Sequence, residues 1–172
     1  MDPMELNVEE VFQFMNNERL AVLATAAENG SPEAALMGFA VTPELEIVFD
    51  TVKTSRKYPK LKKNPRVAWV IGCTTEITVQ YEGIAEELVG DDLAKYKKTY
   101  FAAFPDGPTR ESWPGITYFV VRPTWVRYCD YDPSRRRILE KKFQLASRNA
   151  TAKAATSRRT PNQSSRRATE TG

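Results

Sequence analysis

Two spacings of apolar residues divide the chain. A step of three to four positions marks residues 7–18, where Val8, Val11, Phe12 and Met15 share a face, and residues 91–104, where Leu93, Tyr96, Tyr100 and Phe104 do so. Both stretches are expected to be helices, and Asn7 followed by Glu10 gives the first a capping-box-like start. A step of two, or a short unbroken apolar run, marks six strands at residues 19–26, 34–41, 45–51, 66–71, 76–88 and 116–128. Glu28-Asn29-Gly30-Ser31-Pro32 joins the first two and carries the Asn-Gly hairpin signal, while Thr42-Pro43-Glu44 turns into the third. Gly83 interrupts the longest apolar alternation and predicts a bulge or bend there. Six closely spaced strands, joined mostly as sequential hairpins, predict a mainly β (α+β) fold. The expected form is a six-stranded antiparallel barrel with a few flanking helices, not a βαβ sheet.

The 172 residues, 41% of them hydrophobic, suffice for one buried core. The chain contains no histidine, which excludes Ser-His-Asp and Cys-His triads, HExxH zinc sites and imidazole proton relays. Cys73 and Cys129 form no CxxC pair and are expected to be reduced, buried packing residues. Neither GxGxxG nor GxxxxGK occurs, so the usual phosphate-cradling turns are absent. No apolar run approaches membrane-spanning length, and residues 1–10 are acidic where a secretory leader is basic and then apolar. A cytoplasmic protein with no membrane partner is the expectation.

Charge divides the chain more sharply than its net +3 suggests. Residues 144–172 carry +5 and almost no large apolar side chain, whereas residues 1–143 carry −2. The expected organisation is a folded domain over 1–143 and a disordered basic tail over 144–172. Attraction to nucleic acid or another polyanion is then weak and confined to the tail.

The densest chemistry lies at Phe49-Asp50-Thr51-Val52-Lys53-Thr54-Ser55-Arg56-Lys57. This segment leaves an apolar strand and supplies hydroxyls, free backbone amides and three cations, the donor set that a phosphate monoester needs. The competing reading is a solvated basic loop. Pro59 and its bias on Tyr58 put the start of the following helix at Pro59, so phosphate binding rests on side chains and loop amides more than on a helix dipole.

Taken in order, Leu20-Ala21-Val22-Leu23-Ala24-Thr25, Asn29-Gly30-Ser31-Pro32, Phe49-Asp50-Thr51, Ser55-Arg56-Lys57, Asn64-Pro65-Arg66-Val67-Ala68 and Tyr81-Glu82-Gly83-Ile84-Ala85-Glu86 resemble the pyridoxamine 5′-phosphate oxidase-like, FMN-binding split-barrel family. The resemblance covers about residues 8–130 and implies a homodimer of six-stranded split barrels with FMN between the subunits. Arg56 and Lys57 would hold the phosphate, Thr51 and Ser55 would donate hydroxyls, and Asp50 would lie beside them. Ala35, Leu36, Met37 and Gly38 would run along the isoalloxazine edge, where small residues permit close approach. A family amide bonds the flavin pyrimidine, for which Gln80 is the better chemical match and Thr78 the match in one register. Cross-strand pairing on a solvated face is the competing reading for both.

The departures are also specific. The family's pyridoxamine phosphate-oxidising enzymes carry an Arg-x-His segment after the last strand, whereas Asp132-Pro133-Ser134-Arg135-Arg136-Arg137 stands here, which speaks against that substrate. Lys60 replaces a frequent asparagine. Trp69, alternating with Val67 and Ile71, is expected in the core; Trp113, in a Pro/Gly-rich loop, either covers a ring or anchors the loop, and Trp125 is equally open. The implied function is an FMN-dependent oxidoreductase acting on a small molecule. The alternatives are a non-catalytic protein that binds or senses a flavin, deazaflavin or tetrapyrrole, and a polyanion-binding protein that uses its tail and basic loop together.

Overall fold

The computed structural model describes residues 5–145, so the expected disordered tail lies, apart from its first two residues, outside the described residues. Helix α1 (Val8–Asn17) begins where the capping pattern predicts, with the Asn7 Oδ1 accepting the backbone N–H groups of Glu9 at 3.0 Å and Glu10 at 3.3 Å. Its apolar stripe buries Val11 and Met15.

Eight antiparallel strands follow: β1 (Leu20–Ala26), β2 (Pro32–Gly38), β3 (Ala40–Val41), β4 (Ile47–Val52), β5 (Arg66–Ile71), β6 (Ile77–Glu87), β7 (Ile116–Asp130) and β8 (Arg137–Lys142). The sheet order is β2-β1-β5-β6-β7-β4-β3, with β8 added on β7. Because β2 and β3 sit at opposite ends of this order yet adjoin in sequence, the chain bridges both ends and curls the sheet into a split barrel. All six expected strands are present. The stretch expected as one strand over 34–41 breaks at Phe39, whose side chain is buried between the two pieces.

The additional strand, β8, is a charged edge piece with only Leu139 turned toward the core, so neither alternation nor an apolar run announces it. The turn at Ala27 closes with the Gly30 N–H donating to the Ala27 carbonyl at 2.9 Å and Gly30 at φ 82°, a conformation glycine adopts without strain. At Gly83 the β6–β7 register shifts as predicted, and an added Cβ would lie 2.5 Å from the Arg122 carbonyl oxygen.

Inside the barrel, Trp69 is 1% exposed, with Phe49 edge-on at 5.4 Å and Phe39 at 6.1 Å between ring centroids. A second apolar layer forms where α3 (Gly90–Ala103) lays Tyr96 and Tyr100 over Val48, Tyr118 and Val120, with Leu93 and Phe104 beside them, the face its spacing predicts. Two expectations need correction. Helix α2 spans Lys57–Lys63, starting two residues before Pro59. Pro59 is then its third residue, where the missing N–H has no intrahelical partner to lose, so the proline fits inside the first turn. Cys73 is exposed in the turn after β5, and only Cys129 is buried.

Candidate functional site

Strand β4 delivers the chemistry-bearing loop. Alternation turns Ile47, Phe49 and Thr51 toward the barrel and Val48 and Asp50 toward the α3 layer. The loop then folds back: the Ser55 N–H donates to the Val52 carbonyl at 2.9 Å, and the Ser55 carbonyl accepts the Tyr58 N–H at 3.2 Å. This return brings the Thr51 and Ser55 hydroxyl oxygens 3.0 Å apart. Arg56 projects from the loop with its side chain 83% exposed, and Lys57, half-buried, opens α2.

A carboxylate that the sequence did not flag sits at the same place. Glu33 of β2 accepts a 2.5 Å hydrogen bond from Lys60, and its carboxylate lies 4.0 Å from the Arg56 Nε. That Lys60 bond, with the charges of Lys60, Arg56 and Lys57, holds the Glu33 carboxyl below the ordinary carboxylate range despite its burial.

Helix α2 is fastened from its other side by Glu87, which accepts from Lys62 at 2.8 Å, Thr117 at 2.7 Å and Tyr58 at 3.2 Å, with Lys53 at 3.8 Å. Burial pushes the Glu87 carboxyl up, but the bonds from Lys62, Thr117 and Tyr58 outweigh it and hold the group low. A carboxyl depressed in the folded state contributes stability that is complete above its unfolded pKa and disappears as pH falls through the folded value. Glu87→Gln is therefore expected to cost roughly 1–2 kcal/mol at pH 7. The two proteins should converge as pH drops below about 4, where an unfolded glutamate takes up its proton. Urea unfolding across pH 3–7 measures this.

The other predicted residues divide. Thr51 and Ser55 come together, and Arg56 and Lys57 follow them directly in the chain. Asp50 does not join them: strand parity sends it to the opposite face of β4, where its Oδ2 lies 3.2 Å from the Arg110 Nε, close as an ion pair without a hydrogen bond's alignment. Arg110 belongs to α4 (Gly107–Arg110), a turn inside the loop that the sequence leaves irregular, and it also pairs with Asp106. Ala35 and Met37 face the barrel side of β2, while Leu36 faces outward, 64% exposed. The space expected above Gly38 for a flat ring holds the Phe104 ring, 3.0 Å from where a Cβ would stand. Among the described residues β2 pairs only with β1, so its other backbone edge is unpaired by any strand.

Thr78 and Gln80 share the outer face of β6, Gln80 opposite Val70 and Arg127 and Thr78 opposite Cys129. Strands β1 and β5 stand between them and β2, and Thr78 and Gln80 open β6, whose far end at Glu87 is the one that meets Lys53 and Lys62, so one chain does not bring them to the basic loop. Trp113 is 53% exposed, and Trp125 lies under the Arg127 guanidinium at 5.3 Å. Arg135 binds the buried Asp130 at 2.7 Å and Arg137 pairs with Glu10, so these two arginines of the segment after β7 serve ion pairs. Among the described residues no cluster of acidic or cysteine side chains suits a metal ion, and no helix is long and apolar enough to cross a membrane.

The family described as Pyridoxamine 5′-phosphate oxidase matches residues 8–130. No curated protein matches the chain. Among solved structures, the heme binding protein from Mycobacterium smegmatis superimposes with a TM-score of 0.69 at 19% identity, over 78% of this chain and 57% of that one. The General Stress Protein 26 from Bacillus anthracis does so with a TM-score of 0.58 at 21% identity, over 78% and 98%. An F420 reductase gives a TM-score of 0.54 at 22% identity, over 66% and 93%. These likenesses establish a shared split-barrel fold, and the chain spans little more than half the length of the first of them.

Proposed function

The chain belongs to the pyridoxamine 5′-phosphate oxidase family, and from that premise we propose that it binds FMN, with the phosphate at Arg56, Lys57 and Ser55 and the ring along β2, and serves as a homodimeric oxidoreductase for a small molecule. One observation carries the reading. An exposed guanidinium, next in the chain to a pair of hydroxyls at the end of β4, reaches Glu33 at the start of β2, a strand whose outer backbone edge has no partner strand among the described residues. Arg56 offers a planar set of donors for phosphate oxygens, and Ser55 adds a neutral donor that fixes orientation. The unpaired edge at Ala35, Leu36, Met37 and Gly38 carries the alternating N–H and C=O groups that the polar edge of a flavin can bond.

The outer sheet face supports the dimer. Leu20, Leu36 and Val70 are 53%, 64% and 43% exposed across β1, β2 and β5, with Ala34 and Ala68 exposed among them. A contiguous apolar face of this kind is usually covered. In the proposed dimer a second copy laid on it would turn its own Thr78 and Gln80, which share that outer face, toward the β2 edge of the first. Bound FMN would supply hydride or single-electron transfer, while the chain supplies position and charge. A chain without histidine suits that division of labour and offers no imidazole as an axial heme ligand.

The visible spectrum of the purified protein tests the proposal. The expected result is a flavin spectrum, or its appearance when FMN is added, that bleaches anaerobically with NADPH or NADH. Bound flavin that neither nucleotide nor any other donor reduces would assign a storage or sensing role instead. A protein that takes up heme or a deazaflavin but not FMN contradicts the proposal.

A further inference from the structure

The anion site contains its own carboxylate. Glu33 and Lys60 are 14% and 16% exposed, so the pair is largely withdrawn from water, yet Lys60 also lines an open cleft of about 390 Å³ between Ala27-Glu28-Asn29 and α2. Lys60 and Arg56 lie against this one carboxylate and Lys57 adds its charge from farther off, and among the described residues only Lys60 is hydrogen-bonded to it. We infer that Glu33 is an internal counter-ion that holds Lys60 away from the incoming anion, so that the strength of phosphate recognition is set by β2 as well as by the basic loop.

The physical basis is competition for one ammonium group. Lys60 is bonded to a fixed carboxylate at 2.5 Å, and a phosphate oxygen can recruit it only by displacing that partner. The same carboxylate opposes Arg56 across 4.0 Å, which weakens the guanidinium's hold on a second anion. The three cations and Glu33 sum to two positive charges, matched to a phosphate monoester, which carries nearly two negative charges at neutral pH. Without Glu33 the site would hold an extra positive charge and a free third donor.

The inference rests on the proposed anion site but not on the flavin, so its test uses inorganic phosphate. Glu33→Gln keeps the shape of the side chain and removes the charge. It is expected to bind inorganic phosphate about tenfold more tightly than the natural protein, the low end of what one charge-assisted hydrogen bond is worth. Binding is read as the phosphate-dependent rise in melting temperature and by calorimetric titration. In Glu33→Gln/Lys60→Met most of the gain should be lost, because the freed ammonium is its main source and the relief of Arg56 across 4.0 Å the smaller one. Lys60→Met alone should bind phosphate more weakly than the natural protein, because an uncompensated Glu33 then turns on Arg56, and unchanged or tighter binding by this variant overturns the inference even if Glu33→Gln fails to fold.

Phosphate affinity that is unchanged or lower in a folded Glu33→Gln, or a gain that survives undiminished when Lys60 is removed, overturns the inference. If Glu33→Gln gains phosphate affinity as expected while neither protein takes up FMN, Glu33 keeps this role and the FMN proposal falls.

Discussion

Arg56→Ala/Lys57→Ala should bind FMN at least about a hundredfold more weakly than the natural protein, since two charge-assisted hydrogen bonds of roughly 1.5–3 kcal/mol each are removed. Its stability should barely change. Arg56 is 83% exposed and 4.0 Å from its nearest acid, a separation at which a surface ion pair contributes little. Glu33 keeps its 2.5 Å bond to Lys60, and Glu87 keeps α2 fastened to β6 and β7. Loss of affinity with an unchanged circular dichroism spectrum and urea midpoint therefore assigns the two cations to the ligand. Flavin fluorescence quenching measures the affinity, and a variant that binds FMN as tightly as the natural protein would place the phosphate elsewhere.

The second large effect is structural. Trp69→Ala is expected to lower the unfolding free energy by about 3–5 kcal/mol, the usual cost of truncating a buried tryptophan. Set against a total of about 5–15 kcal/mol for a domain, this approaches the limit of folding. Trp69 lies opposite Leu23 on β1 and Tyr81 on β6, and its ring meets Phe49 and Phe39. Phe39 is the residue at which β2 passes into β3, so the cavity would open where the barrel closes. Trp113→Ala provides the contrast: its ring is 53% exposed, and its removal should change stability by less than about 0.5 kcal/mol. Urea unfolding of both variants separates the two tryptophans, and a Trp69→Ala cost below about 1 kcal/mol would contradict the core described here.

These two tryptophans also show how far the sequence was legible. Trp69 alternates with Val67 and Ile71, so its inward direction follows from the step of two alone. The helix stripes, the turn at Asn29-Gly30 and the bulge at Gly83 were likewise local signals that tertiary structure left in place. Asp50 shows the limit. It adjoins Thr51 in sequence and looked like part of one loop, but a strand sends neighbours to opposite faces, and its partner Arg110 lies sixty positions away in a turn without periodicity.

Glu33 and Glu87 are illegible in the sequence for the same reason. Each reaches α2 from a strand distant in sequence, and only the curl of the sheet brings them there. Pro59 is a different case: the rule against proline within a helix does not reach the first turn, which is where α2 places it. Strand β8 is illegible because its alternation is masked by charge, as suits an edge strand.

The central claim is that this chain recognises a flavin through its phosphate, and the most direct measurement compares FMN with riboflavin, which lacks the phosphate, on the natural protein. FMN should bind at least about a hundredfold more tightly, the value of two charge-assisted contacts, and the ratio should collapse toward one in Arg56→Ala/Lys57→Ala. Equal affinity of the natural protein for FMN and riboflavin would contradict the claim.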